Sequence, residues 1–295
     1  MKVVTGEAIE KLQIPLTTFY RWVVEALTAK EHAILPPKTS LSLPGDIFFN
    51  TMPCILPYKK VEGVKMVNRY PHRTPAITAQ IVLHDLESGQ LLAFMDAEYI
   101  TSMRTGAVAA HSIELFAKTG YRVLGLIGLG ATARATLDIL LAVAPNKPFT
   151  IKLYGYKDHA QRFMERYRQH KHLEFVVCAD YDATVKGSDV IISCVTVAKQ
   201  NFCSDDKYDE GCLVVPIHTR GFQNCDLFFD KIFGDDTGHI CKFEYFNKFR
   251  SFAEVSQVIT GQSKGRESDR ERILAYNIGL AMHDIYFASE ILKLL

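Results

Sequence analysis

The chain has 295 residues, 48% apolar and 23% charged, which is enough material for one large globular domain or two of ordinary size. The formal net charge is +1, with neither a basic run nor an acidic tail, so no nucleic-acid partner is expected. The opening MKVVTGEAIE carries Glu7 and Glu10 and no apolar core, so no signal peptide is expected, and no segment approaches the roughly 20 apolar residues of a bilayer span.

In chain order, 17–30 predicts a helix with Phe19, Trp22, Val23, Ala26 and Leu27 on one face. Pro36-Pro37 and Pro44-Gly45 then break the chain. IFFNTMPCIL, VEGVKMVNRYP and AITAQIVLHD read as strands, Glu87-Ser88-Gly89 as a turn and LLAFMD as a further strand, giving hairpins in an antiparallel or mixed sheet. The stretch 97–119 lacks proline and is rich in Ala, Met and Leu, which predicts a long helix ending near Gly120. From Tyr121 strands and helices alternate: strand 121–128, helix 131–143, strand 149–155, helix 157–171, strand 173–178 and helix 179–186. Apolar strands follow in SDVIISCV, GCLVVPIH and DKIFGDD. Such a rhythm means a parallel sheet with helices on both faces. After Asp236 the sequence predicts helical stretches to Gly261, a polar loop 262–268 and a last helix of about 20 residues to Ile291. The fold class expected is α/β: a Rossmann-type doubly wound domain, 121–269, inserted in a smaller α+β domain of 1–120 plus 270–295. The seven cysteines (Cys54, Cys178, Cys194, Cys203, Cys212, Cys225 and Cys241) are odd in number and include no C-x-x-C pair. That argues against a zinc site or a disulfide framework and for a reduced, cytoplasmic protein with no metal.

Within the alternating region, Gly128-Leu129-Gly130-Ala131-Thr132-Ala133 follows an apolar strand and opens a helix, matching the dinucleotide pattern G-x-G-x-x-G/A. Gly128 suits the tight turn, Gly130 the approach of a pyrophosphate, and Ala133 the close packing of helix on strand. The helix start, Ala131-Thr132, offers its N–H groups to phosphate. An acid at the tip of the second strand would favour NAD. That tip reads Tyr154-Gly155-Tyr156-Lys157, with Asp158 only in the next turn, which favours NADP(H) over NAD. Tyr156 is placed to lie on adenine and Lys157 to pair with a 2′-phosphate, unless both simply belong to an exposed helix start. Cys194, Val195 and Thr196, at the end of the fourth strand, are expected along the cofactor ribose. The fifth strand ends Ile217-His218-Thr219-Arg220-Gly221, close to where a nicotinamide would lie, making His218 and Arg220 candidate catalytic groups.

Three stretches together resemble the ornithine cyclodeaminase/mu-crystallin family. The first is GQLLAFMDAEYITSMRTGAVA, with Met95-Asp96 and Arg104-Thr105-Gly106-Ala107. The second is Pro36-Pro37-Lys38-Thr39 with Met52-Pro53 and Lys65, and the third is Gly265-Arg266-Glu267 with Asn277 through Asp284. The resemblance implies an N-terminal substrate and dimerisation domain, completed by the C-terminal helix, around an inserted NAD(P) domain. Amino-acid or imino-acid substrates would bind between the two, in a homodimer. It assigns the substrate carboxylate to Arg104 and Lys38 and puts Lys65 at the reacting carbon. Met52 and Gln80 join the expected substrate set, and Thr105, Ile217 and Asn277 the cofactor set. A planar guanidinium suits a carboxylate, and a desolvated lysine suits proton transfer.

One departure bears on the reaction. The family's cyclodeaminases carry an acid just after the fifth strand, where this chain has His218-Thr219-Arg220. The expectation is therefore an NAD(P)-dependent oxidoreductase working on the C–N bond of an amino acid, an imino acid or an N-carboxyalkyl amino acid, with Arg220 on a second substrate carboxylate. The alternatives are an ornithine cyclodeaminase-type deaminating cyclase using bound NAD and a non-catalytic, crystallin-like NADP(H)-binding protein. Asp235 or Asp236, after the sixth strand, is either a replacement acid or a helix cap.

Overall fold

The computed structural model describes residues 1–195, 198–217 and 221–295. The chain opens with β1 (Lys2–Val4) and α1 (Gly6–Glu10), the latter capped by Thr5, whose hydroxyl accepts from the Ala8 N–H at 3.3 Å. In α2 (Leu16–Thr28) the face predicted from spacing is the one that is buried: Phe19, Trp22, Val23, Ala26 and Leu27. The hairpin region gives β2 (Thr39–Leu43), β3 (Ile47–Leu56), β4 (Val61–Arg69), β5 (Ile77–Asp85) and β6 (Leu91–Asp96). They form one sheet in the order β1-β6-β5-β4-β3-β2, antiparallel except where β1 runs parallel to β6. Because side chains alternate across a sheet, the register puts Met52, Lys65, Ile81 and Met95 in one row on one face. Pro53, Val64, Val82, Phe94 and Val3 form the adjacent row on the other.

The chain continues through α3 (Glu98–Phe116) into β7 (Val123–Ile127), α4 (Ala131–Val143), β8 (Phe149–Tyr154), α5 (His159–Arg166), β9 (Leu173–Cys178), α6 (Tyr181–Val185) and β10 (Val190–Ser193). Next come β11 (Leu213–Pro216), α7 (Cys225–Phe228), β12 (Lys231–Gly234), α8 (Thr237–Ile240), β13 (Phe252–Glu254), α9 (Val255–Ile259), β14 (Ile273–Tyr276) and the closing α10 (Ala281–Leu294). The second sheet is parallel throughout, in the order β13-β12-β14-β11-β10-β7-β8-β9. Strand order reverses between β7 and β10, the switch point of a Rossmann fold. No helix among the described residues is long and apolar enough to cross a membrane.

Two compact units result, Met1–Arg104 with Gly279–Leu295 and Thr105–Ile278. In the first, α10 packs on β3, β4 and β5 and against α2, where Phe287 stacks on Phe19 at 5.7 Å and meets Trp22 edge-on at 5.2 Å. In the second, Arg266 donates to four backbone carbonyls, those of Phe116, Ser268, Glu271 and Gly211, so the Gly265-Arg266-Glu267 motif acts as a clasp on a loop.

The structure corrects the sequence at its last helix. Residues 273–276, read as part of the last helix, are the strand β14, inserted between β11 and β12. A run of four buried apolar residues has no periodicity by which helix and strand differ. The last helix therefore starts only at Ala281, and the second unit runs to Ile278. The first division between the units falls at Arg104/Thr105, inside α3. The cause is the tight seat of the helix's second half on α4: a Cβ on Gly106 would lie 2.6 Å from the Ala135 carbonyl carbon and 2.7 Å from the Thr136 nitrogen. The obstacle is the Ala135–Thr136 peptide of α4, with no flexible side-chain end to yield. Gly106→Val is expected to lower stability by about 1–3 kcal/mol or more, read as a lower midpoint in urea unfolding.

Candidate active site

At the switch point the turn after β7 meets the turn after β10. Gly128 has φ +85°, and a Cβ there would come within 2.8 Å of the Val195 nitrogen and 2.9 Å of the Cys194 carbonyl carbon. Only glycine fits. Gly130, the residue before α4, faces nothing within 4 Å, so the space beside the first N–H groups of Ala131 and Thr132 is open. Ala133 is buried beneath it. A cleft of about 520 Å³ is lined here by Gly128, Gly130, Arg134, Tyr156, Arg162 and Val195, with Leu129, His159, Phe163 and Cys194 completing its wall. Backbone amides at a helix start beside an empty glycine cradle fit the pyrophosphate of a dinucleotide.

Lys157, at φ +51°, sets its ammonium 5.2 Å from the centre of the Tyr156 ring. Asp158 is engaged by Arg162 at 3.0 Å. Arg134, His159 and Arg162 were not foreseen from the sequence. Arg134 stands one helical turn after Gly130, and Arg162 one turn after His159, so the spacing was a usable signal. Asn277, just after β14, donates from Nδ2 to the Ser112 hydroxyl at 3.0 Å, while its buried Oδ1 accepts nothing among the described residues. Such an acceptor fits a polar ligand group. Ile217 follows the end of β11, and Thr105 is the first residue of this unit.

The first unit carries a separate cluster. Lys65 on β4, Arg104 near the start of α3 and Asp284 in the first turn of α10 are 1%, 7% and 0% exposed. Asp284 Oδ2 is 2.8 Å from Lys65 Nζ, and Oδ1 accepts from Arg104 Nε at 2.9 Å. Gly279, at φ +82°, lets the chain pass over the guanidinium, where a Cβ would lie 2.6 Å from Nη1. Burial drives the Lys65 ammonium from 10.5 down to about 7; Arg104 and Lys38 push it the same way, and Asp284 opposes them by charge and hydrogen bond. Met52 is the cross-strand partner of Lys65 and is buried on the same face. Gln80 is not part of this group: it pairs in register with Met66 and Asp96, on the opposite face of the sheet.

Lys38, Met52, Lys65 and Arg104 are thus brought together, as are Gly128, Gly130, Tyr156, Cys194 and Val195. Thr196, His218 and Arg220 lie outside the described residues. Asp236 caps α8, its carboxylate accepting from the His239 N–H at 3.2 Å and pairing with His239 Nδ1 at 2.9 Å. Of the two roles open to it, the cap is the one it fills.

The model of the ornithine cyclodeaminase/mu-crystallin family matches residues 3–293. This chain belongs to that family. Within it, the chain is 28% identical over 248 residues to N-((2S)-2-amino-2-carboxyethyl)-L-glutamate dehydrogenase of Staphylococcus aureus, covering 76% of this chain and 72% of that protein. The fold matches an archaeal alanine dehydrogenase dimer with bound NAD at a TM-score of 0.85 and 24% identity, over 99% of this chain and 95% of the other. It matches the Thermococcus litoralis Delta(1)-pyrroline-2-carboxylate reductase, in complex with NADH and L-proline, at 0.87 and 23% identity, over 100% and 97%. For a member of this family, the parallel sheet and the smaller sheet domain are therefore the expected architecture.

Proposed function

We propose that this chain is an NAD(P)-dependent oxidoreductase that makes or breaks the C–N bond chemistry of an amino acid, an imino acid or an N-carboxyalkyl amino acid by hydride transfer at the α-carbon. The observation that carries the proposal is the buried Lys65–Asp284–Arg104 cluster. One carboxylate faces two cations there, and a third, Lys38, acts on Lys65. Desolvated positive charge of this kind is a seat for a substrate carboxylate. Arg104 holds that carboxylate through its Nη groups, since Nε is engaged by Asp284. Lys65 hands a proton to the substrate nitrogen when a C=N bond is reduced and takes one back when an amine is oxidised. The nicotinamide cofactor supplies or accepts the hydride, so imine, hydride and proton together balance one amine and one oxidised cofactor.

The cofactor's phosphates are assigned to Gly128, Gly130, Ala131 and Thr132, and its ribose and nicotinamide portions to Thr105, Cys194, Val195, Thr196, Ile217 and Asn277. We favour NADP(H), because no acid stands at the tip of β8, where Lys157 follows Tyr156, and Arg134 and Arg162 are among the residues lining the cleft. NADPH is expected to bind more tightly than NADH in a fluorescence titration. The double variant Lys157→Ala, Arg162→Ala is expected to lose roughly tenfold or more for NADPH, one charge-assisted contact being worth about 1.5–3 kcal/mol, with little change for NADH. Tighter NADH binding would reassign the cofactor.

A homodimer through the first unit fits this reading. Leu41, Leu43, Val3 and Phe94 are exposed on the face of the sheet opposite Lys65. Seven free thiols suit the cytoplasm, where they stay reduced. The activity is tested by mixing the protein with NADPH or NADH and a panel of 2-oxo acids with amines. Cofactor binding without oxidation on any pair would leave a binding protein in place of an enzyme.

A further inference from the structure

Asp284 is the counter-ion of two buried cations. Its geometry does more than neutralise. The two carboxylate oxygens are divided, Oδ2 to Lys65 Nζ at 2.8 Å and Oδ1 to Arg104 Nε at 2.9 Å. The two cations come from β4 and α3, which without a shared partner would hold like charges close together out of water, each uncompensated against its lost hydration. A single fully buried carboxylate therefore fixes both cations to one template, in orientations that a bidentate pair with either alone would not give.

We infer that Asp284 is the positioning residue of this site, bridging Lys65 and Arg104 so that the guanidinium presents its Nη edge and Lys65 keeps the proton it donates. The inference rests on the proposed redox reading for the identity of the substrate, but the bridge itself does not depend on it. Among the groups acting on Lys65, Arg104 from α3 and Lys38 from the segment before β2 both disfavour its ammonium form, and Asp284 from α10 favours it. Cys54 on β3 also senses Asp284, and its thiol is pushed up to about 12 by burial first and by that carboxylate second, so it stays neutral. Met52 and Ile81, flanking Lys65 in register, carry no charge. Removing the Asp284 charge thus leaves Lys65 with only disfavouring neighbours, and its proton departs at lower pH.

A merely structural acid and a positioning acid separate on the pH profile. For Asp284→Asn, kcat/KM in the reducing direction is expected to fall by about 100-fold or more, and the pH above which activity declines is expected to move down by about one unit or more. NADPH affinity should stay within about threefold, because the nucleotide cleft belongs to the other unit. Asp284→Glu keeps the charge but lengthens the arm. It is expected to hold the decline near the wild-type pH while still losing about tenfold in kcat/KM from displaced cations, and it carries the test if the asparagine variant does not fold. An unmoved pH decline in Asp284→Asn, or full kcat/KM in Asp284→Glu, overturns the inference.

A readout without turnover keeps the two claims apart. Thermal stabilisation by pyruvate is expected in the wild type, weakening as pH rises through about 7 with the Lys65 proton, and to be largely absent in Asp284→Asn. If the wild type oxidises no cofactor on any substrate pair yet shows this pyruvate response, the redox reading fails and the positioning role stands. A pyruvate response equal in wild type and Asp284→Asn, or no response in either, sinks the positioning role alone, because the redox reading is decided by cofactor oxidation.

Discussion

Arg104→Gln is expected to lower kcat/KM for a 2-oxo acid substrate by about 10²–10⁴-fold, the equivalent of two charge-assisted hydrogen bonds of about 1.5–3 kcal/mol each. The variant keeps a polar side chain of similar reach but loses both the charge and the fork that grips two oxygens at once. It also leaves Asp284 with Lys65 as its one partner in the cluster, so part of the loss comes from a shifted carboxylate. Arg104→Lys should fall between the two, keeping charge without the fork. The decisive comparison is between carbonyl substrates with and without a carboxylate. Pyruvate should be strongly preferred to acetone by the wild type, and Arg104→Gln should lose most of that preference. If the variant still discriminates as well as the wild type, the carboxylate is held elsewhere, with Lys38 the nearest alternative. Cofactor affinity, measured separately, should be unchanged within about threefold.

The second large effect concerns Lys65 and pH. Its ammonium is pushed down to about 7, first by burial and then by Arg104. In imine reduction the protonated form is the reactive one, so kcat/KM is expected to be level below about pH 7 and to fall about tenfold per unit above it. In amine oxidation the neutral form is needed, so the dependence reverses and activity rises through the same pH. A bound substrate carboxylate adds a negative charge beside Lys65 and favours its ammonium. The decline in kcat should therefore sit at higher pH than the decline in kcat/KM. Lys65→Gln should remove both limbs and cost about 10²–10⁴-fold, the usual range for general acid catalysis. Profiles in the two directions that are flat through neutrality in the wild type would rule Lys65 out as the proton carrier.

Much of this arrangement is legible in the sequence because it is local. The buried face of α2 follows from helical spacing, the first sheet from runs of alternation with a turn at Gly89, and the nucleotide cleft from glycines between an apolar strand and a helix. Each of these signals lies within a dozen or so residues. What the sequence hides is non-local. β14 looks like helix because Ile273–Tyr276 is wholly buried and its strand partners, β11 and β12, lie tens of residues upstream. Asp284 looks like one more helix residue until its partners are known, 180 positions away in the case of Arg104. A physical hint was present all the same. An acid amid Ala281, Met282, Ile285 and Phe287 sits in a stretch otherwise fit only for a core, and an acid in a core must be paired.

The same separation has a consequence for biosynthesis. The first unit is closed by Gly279–Leu295, which leave the ribosome after all of Thr105–Ile278. Until then the Lys65 row of the sheet lacks the helix that covers it, and two cations destined for burial lack their acid. The nascent chain therefore carries an open apolar sheet face for as long as the whole second unit takes to be made, at about 5–20 residues per second. A ribosome stalled before residue 279 would present a first unit without its closing helix, and chaperone engagement during synthesis should concentrate in that window.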